Sequence, residues 1–143
     1  MSTLLTILLL RVAGAGHLAL AAASTQAPTV LDWKTELASL RPLNRQIFTT
    51  QAAYILAINI CFGLLSLLAP ELILEGTPLA TLVCGFICVY WAVRVVLQLI
   101  YFDASDAPQG LKYKVAEWGF LAVFICFALV FGWALYFNVR GSL

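Results

Sequence analysis

Two polar residues stand one helical turn apart inside a strongly apolar part of the chain. Arg94 and Gln98 lie in a run that covers residues 78–102 and consists mainly of Leu, Val, Ile, small and aromatic residues. A guanidinium that faces lipid costs roughly 2.5 to 3.5 kcal/mol on insertion scales, so intramembrane charges normally face other helices and pair. In an enzyme, an arginine here would steady negative charge that develops during the reaction. Arg94 is therefore the strongest indication of a functional site.

Several other polar residues are expected at a similar depth. Counted from the nearest helix end at ~1.5 Å per residue, Gln98 lies about 6 Å deep, Arg94 about 12 Å and His17 about 9 Å. Glu117 is the only carboxylate within the four apolar runs, which makes it the first partner expected for Arg94. The predicted polar layer of one bundle, with Tyr101 nearby, consists of His17, Gln51, Tyr54, Arg94, Gln98 and Glu117.

Simpler interpretations of the same residues stay open. Glu117 is near enough to the interface to be solvated and to pair with a neighbouring lysine. Arg94 can snorkel towards the headgroups, and Arg11, the rival partner for Glu117, can do so at the other surface. His17 taken alone fits a hydrogen-bonded structural residue better than a ligand.

The sequence contains few residues that could bind a common cofactor or act as a catalytic nucleophile. A bis-His haem needs a second histidine, and His17 is the only one in the chain. The four cysteines lie within apolar runs without the Cys-x-x-Cys spacing of thiol oxidoreductases, and no loop carries a cluster of metal ligands. Ser66 is expected near the opposite surface from His17, which disfavours Ser-His-Asp chemistry. The sequence predicts no metal and leaves the cofactor and any catalytic residues unknown.

The elements that position these residues follow from composition. Of the 143 residues, 63% are hydrophobic and 10% are charged, whereas an ordinary soluble domain has about 25% charged residues. Four membrane-length runs, at about residues 3–23, 45–69, 78–102 and 113–137, use up nearly the whole chain. We predict a single-domain, all-α integral membrane four-helix bundle with a short interfacial helix in the first connector. The net charge of +1 and the lack of a dense basic cluster disfavour nucleic acid as a partner.

Local signals refine these elements. The first run is interpreted as a retained helix rather than a signal peptide, because Arg11 sits within it and nothing basic precedes it. Its small residues at 13–16 allow a neighbouring helix to approach closely. Asp32 is expected to cap the interfacial helix, and Thr77 with Pro78 to start the third membrane helix. Residues 103–110 are predicted to form a polar loop.

The basic residues indicate an orientation. Five of them, Lys34, Arg41, Arg45, Lys112 and Lys114, lie in the first and third connectors, whereas Arg140 alone lies in the tail. The positive-inside rule places these two connectors in the cytoplasm and both termini outside it. We expect a bacterial inner membrane protein.

The pattern of four helices with sparse buried charge resembles small membrane protein families such as the DoxX-like and sterol-isomerase-like groups, but no motif residues match, so no activity follows. We predict an accessory subunit or a helper that binds lipid or a small molecule, rather than an independent catalyst. The alternatives are a membrane-embedded enzyme acting on a lipid or isoprenoid, with Glu117 or His17 moving a proton, and an oligomeric proton or ion conductor. The expected partner is the lipid bilayer, and a membrane protein partner or a homo-oligomer stays open.

Overall fold

The computed structural model describes residues 3–102 and 110–141, and these ranges are helical without any strand. The helices are, in order, α1 (Thr3–Ser24), α2 (Ala27–Val30), α3 (Trp33–Glu36), α4 (Pro42–Leu68), α5 (Pro70–Ile73), α6 (Pro78–Ile100) and α7 (Leu111–Gly141). A 3-10 turn, Leu37–Ser39, follows α3. Helices α1, α4, α6 and α7 are each long and apolar enough to cross a bilayer. The protein is an all-α integral membrane four-helix bundle, as the sequence predicts.

Each predicted membrane run corresponds to one long helix, with clear shifts at two ends. Helix α4 begins at Pro42 rather than near residue 45, because proline fits the first turn, where its missing N–H is not needed. Helix α7 continues to Gly141, beyond the predicted end at 137, so Asn138 lies within the helix. Most of the predicted polar loop, residues 103–109, lies outside the described residues.

Helices α1 and α4 pack with their backbones close together. A Cβ atom added at Gly14 would lie 2.7 Å from the backbone nitrogen of Leu67 and 2.8 Å from the carbonyl oxygen of Gly63. Only glycine therefore fits at this point of the helix crossing. The predicted close approach at the small residues of α1 is confirmed.

The second close pair is α6 with α7, and the two helix pairs meet mainly through α1 and α7. Buried aromatic residues fill the space between the pairs, namely Phe62 of α4, Trp91 of α6, and Phe124, Phe127 and Phe131 of α7. At the end of the bundle where α4 and α7 begin, residues 42–51 and 111–120 are all exposed. The described part of the bundle is thus closely packed through its middle and loosely packed at that end.

The connecting segments follow their sequence signals with one difference. The Thr77 hydroxyl accepts a hydrogen bond from the Ala80 N–H at 3.1 Å and caps α6, as predicted. Asp32 precedes α3, but its side chain makes no capping bond. Its backbone has φ 44, in the left-handed region, whereas side-chain capping needs an extended backbone at that position. Trp33 packs against Phe48 with ring centroids 4.9 Å apart, so α3 lies beside the start of α4.

Candidate functional site

The Arg94 side chain is held on α6 by three neighbours. Its Nη1 donates a hydrogen bond to Gln98 Oε1 at 3.0 Å, one turn further along the helix. The guanidinium carbon lies 4.8 Å from the ring centroid of Phe124 on α7 and 4.9 Å from that of Phe102. Both rings are within the range at which a cation is attracted to an aromatic face. The guanidinium is therefore fixed in position by contacts that include no carboxylate of residues 3–102 and 110–141.

The direction of this side chain matters for what it can reach. Gln98 and Phe102 both follow Arg94 in the chain, so the guanidinium points towards the end of α6. The Cα atom of Arg94 is six residues before Ile100, which is about 9 Å along the helix axis. The charged group consequently lies nearer to the membrane surface than its Cα atom, as expected for a snorkelling arginine.

His17 is not part of this arrangement. Its Nε2 accepts a hydrogen bond from the Trp91 indole N–H at 2.9 Å, and its Nδ1 lies 2.7 Å from the Ala13 carbonyl oxygen. Since an indole nitrogen only donates and a carbonyl only accepts, the imidazole is neutral with its proton on Nδ1. Neither ring nitrogen is left to bind a ligand or to take up a proton.

Four aromatic rings pack against His17. The Phe127 ring stacks on the imidazole with centroids 3.8 Å apart and an angle of 18° between the planes. Phe62 and Phe131 approach it edge-on, at 6.0 and 5.8 Å. The side chain is 0% exposed. His17 is a hydrogen-bonded structural residue that joins α1 to α6, which is the simpler interpretation of its sequence position.

The other members of the predicted polar layer are spread over the surface. Gln51, Tyr54 and Glu117 are exposed, and so is Tyr101. Glu117 makes no ion pair with Arg94. Within residues 3–102 and 110–141 the one ion pair joins Arg11 to Glu71 at 3.0 Å, with both side chains about half exposed. Of the six predicted residues, only Arg94 and Gln98 are brought together.

Two buried polar contacts involve residues that the sequence analysis did not single out. One is Trp91, whose indole N–H, deep in an apolar helix, requires an acceptor. The other is Asn138, whose Oδ1 accepts from the Gly76 N–H at 3.2 Å and whose Nδ2 donates to the Ile73 carbonyl at 2.7 Å. This amide fastens α7 to the turn between α5 and α6. The sequence signal for it was an amide at the end of an apolar helix, which resembles an ordinary interfacial residue.

The cysteines and acidic residues do not assemble into a metal-binding group within the described ranges. Cys84 and Cys88 each donate a weak hydrogen bond from Sγ to a backbone carbonyl, to Ile73 at 3.5 Å and to Ala128 at 3.4 Å. These thiols act as small side chains that fit between helices.

The chain matches no protein-family model, no curated protein and no solved structure. Its function has to be inferred from the geometry of its own residues.

Proposed function

We propose that this protein is a non-catalytic membrane helper that binds an amphiphile whose anionic head, a phosphate or carboxylate, is held by Arg94. The observation that carries the proposal is the environment of the Arg94 guanidinium. It is half-buried and fixed by Gln98 and two rings, yet it pairs with no carboxylate among the described residues. Because no carboxylate of the described residues neutralises this charge, an anionic ligand is the partner that its position favours.

The chemistry of the side chain favours a flat, oxygen-rich anion. A guanidinium has five N–H donors in a planar fork, and the contact with Gln98 uses one of them. The remaining donors match the oxygens of a phosphate or carboxylate, which accept strong charge-assisted hydrogen bonds. Because Phe102 and Phe124 already restrict the side chain, binding loses less conformational entropy than it would at a free arginine.

The catalytic alternative has less support. It assigns proton transfer to His17 or Glu117. Both ring nitrogens of His17 are hydrogen-bonded, and Glu117 is exposed two turns before Phe124, the α7 residue that contacts Arg94. Two turns correspond to about 10 Å along the helix. No contact in the described structure favours ion conduction either.

The orientation forms part of the same proposal. Lys and Arg residues are more numerous in the first and third connectors than in the C-terminal tail, so these connectors are expected in the cytoplasm of a bacterium and both termini outside it. Arg94 would then face the cytoplasmic leaflet, whose anionic lipids supply suitable heads. Reporter fusions at the C-terminus and in the 103–110 segment test this orientation directly.

The test of function is mass spectrometry of the intact protein in mild detergent. We expect the wild type to retain an anionic lipid or another anionic amphiphile in fixed ratio, and Arg94→Gln to retain one molecule of it fewer. Arg94→Lys keeps the charge but not the planar fork of donors, so this variant should retain only part of the bound amphiphile. Arg45→Gln is the matched control, since Arg45 is an exposed arginine at the same end of the bundle.

Two results would overturn this proposal. One is equal retention of the amphiphile by wild type and Arg94→Gln. The other is co-purification of a stoichiometric polypeptide with no amphiphile, which would make the protein a subunit of a larger complex.

A further inference from the structure

A second surface lies on the other half of the α6/α7 pair. It is a shallow groove that faces outward from the bundle and runs along α7. Its lining consists of Cys88 of α6 with Ala128, Leu129, Gly132, Trp133 and Tyr136 of α7. A second concave surface shares Trp133 and Tyr136 with it and is lined further by Phe137, Arg140 and Gly141; we treat the two together as one groove. None of these residues belongs to the Arg94 site.

The floor of the groove depends on the absence of a side chain at Gly132. A Cβ atom there would have only Cys88 Sγ as a near neighbour, at 3.4 Å. A small residue would therefore fit, whereas a long side chain would fill the groove. The wall is held in place because the Trp133 indole N–H donates to Thr6 Oγ1 at 3.3 Å. The shape is thus fixed by contacts between three helices.

One end of the groove is positively charged. The guanidinium carbon of Arg140 lies 4.9 Å from the ring centroid of Tyr136, and Arg140 forms no ion pair with any described residue. The rest of the lining is apolar or aromatic. An occupant that complements this surface has one anionic end and one hydrocarbon chain.

The length of the groove identifies the occupant further. From Ala128 to Arg140 the helix rises about 18 Å, and one leaflet of a bilayer core is about 15 Å thick. An acyl chain that follows the groove would therefore place its headgroup beside Arg140. We propose that this groove binds one acyl chain of an anionic phospholipid, with the phosphate on Arg140, in the leaflet opposite to that of Arg94. This inference does not depend on the proposed function.

Quenching of Trp133 fluorescence by brominated acyl chains tests the proposal. The protein carries Trp33→Phe and Trp118→Phe, so that Trp133 and the buried Trp91 remain, and it is reconstituted in phosphatidylcholine vesicles. A small share of lipid is replaced by brominated phosphatidylglycerol or, in parallel, by brominated phosphatidylcholine. We expect the anionic quencher to be roughly fivefold more effective per mole, the factor for one basic residue beside an anionic lipid.

Substitutions test which residues cause the preference for phosphatidylglycerol. Arg140→Gln should abolish the preference for phosphatidylglycerol, and Gly132→Leu should abolish it by filling the groove. Gly119→Leu is the matched control, because a Cβ atom at Gly119 has no neighbour within 4 Å. Arg94→Gln should leave Trp133 quenching unchanged. The test of this groove and the test of the Arg94 site can therefore fail independently of each other. Equal quenching by both lipids in the parent protein, or a preference that survives Gly132→Leu, would overturn the proposal.

Discussion

Trp91 donates its indole N–H to Nε2 of His17 at a distance of 2.9 Å and thereby joins α6 to α1 inside the bundle. The two residues belong to different helix pairs, because α1 packs on α4 and α6 packs on α7. The bond therefore holds together two parts of the molecule that otherwise meet chiefly through α1 and α7. Its energetic contribution is open to direct measurement.

Trp91→Phe should destabilise the protein by about 1 to 2 kcal/mol, because it removes an interhelical bond and leaves Nε2 of His17 without a donor. The measurement is the free energy of unfolding from a detergent titration of the purified protein. Trp118→Phe is the control, since Trp118 is 67% exposed. In the double variant His17→Phe with Trp91→Phe, the two effects should not add. Simple additivity would mean that the hydrogen bond contributes little.

Gly14→Ala should destabilise the protein by about 1 to 3 kcal/mol, the usual range for overpacking. The new Cβ atom would meet backbone atoms of Leu67 and Gly63 at less than 3 Å, and the helices must separate to admit it. Gly119→Ala has no such neighbour and should be neutral or gain up to about 1 kcal/mol from helix propensity. Thermal unfolding in the same detergent compares the two variants. If they behave alike, close packing of α1 on α4 does not limit stability.

Asn138→Leu should cost about 1 to 3 kcal/mol, because it leaves the partly buried Gly76 N–H without its acceptor and the buried Ile73 carbonyl without its donor. Hydrogen exchange offers a second, local readout, and the amide of Gly76 should exchange faster in the variant. Gln51→Leu is the matched control, since this amide is exposed, and it should change stability by less than about 0.5 kcal/mol. Unchanged exchange at Gly76 in Asn138→Leu would contradict the role given to this side chain.

A double-mutant cycle with Arg94→Gln and Glu117→Gln should give a coupling energy below about 0.5 kcal/mol, as for residues that do not touch. The reason is that Arg94 contacts Gln98, Phe102 and Phe124, whereas Glu117 is exposed. Unfolding free energies of the two single variants and the double variant supply the measurement. A coupling above 1 kcal/mol would bring Glu117 beside Arg94, as the sequence analysis first expected.

The long helices could be predicted because their signals are local. Runs of membrane length, the small residues around Gly14, and the cap formed by Thr77 before Pro78 each depend on neighbours in sequence. The extra turn of α7 was missed because the predicted apolar run ends at residue 137. That turn contains Asn138. Its partners, Gly76 and Ile73, are distant in sequence, so no local pattern reveals that it is buried.

The polar layer could be predicted only in part, because counting residues gives depth but not direction. Successive residues of a helix turn by about 100°, so residues at the same depth can face opposite sides. Gln98 follows Arg94 by one turn on the same helix, which made their contact predictable. Gln51 and Tyr54 lie on α4, where both sides of the helix are apolar, and no sequence pattern distinguishes the packed face from the exposed one. The structure places both residues on the exposed face.

The saturated hydrogen bonds of His17 have an electrical consequence. Moving one elementary charge through a transmembrane potential of ~100 mV is worth about 2.3 kcal/mol, so voltage can act on a fold only where charged groups lie in the field. The buried polar side chains of the described structure are uncharged ones: Thr6, His17, Asn59, Ser66 and Asn138. The closely packed core of the described bundle therefore carries no charge, and a change of membrane potential should act instead on the half-buried guanidinium of Arg94 near the end of α6.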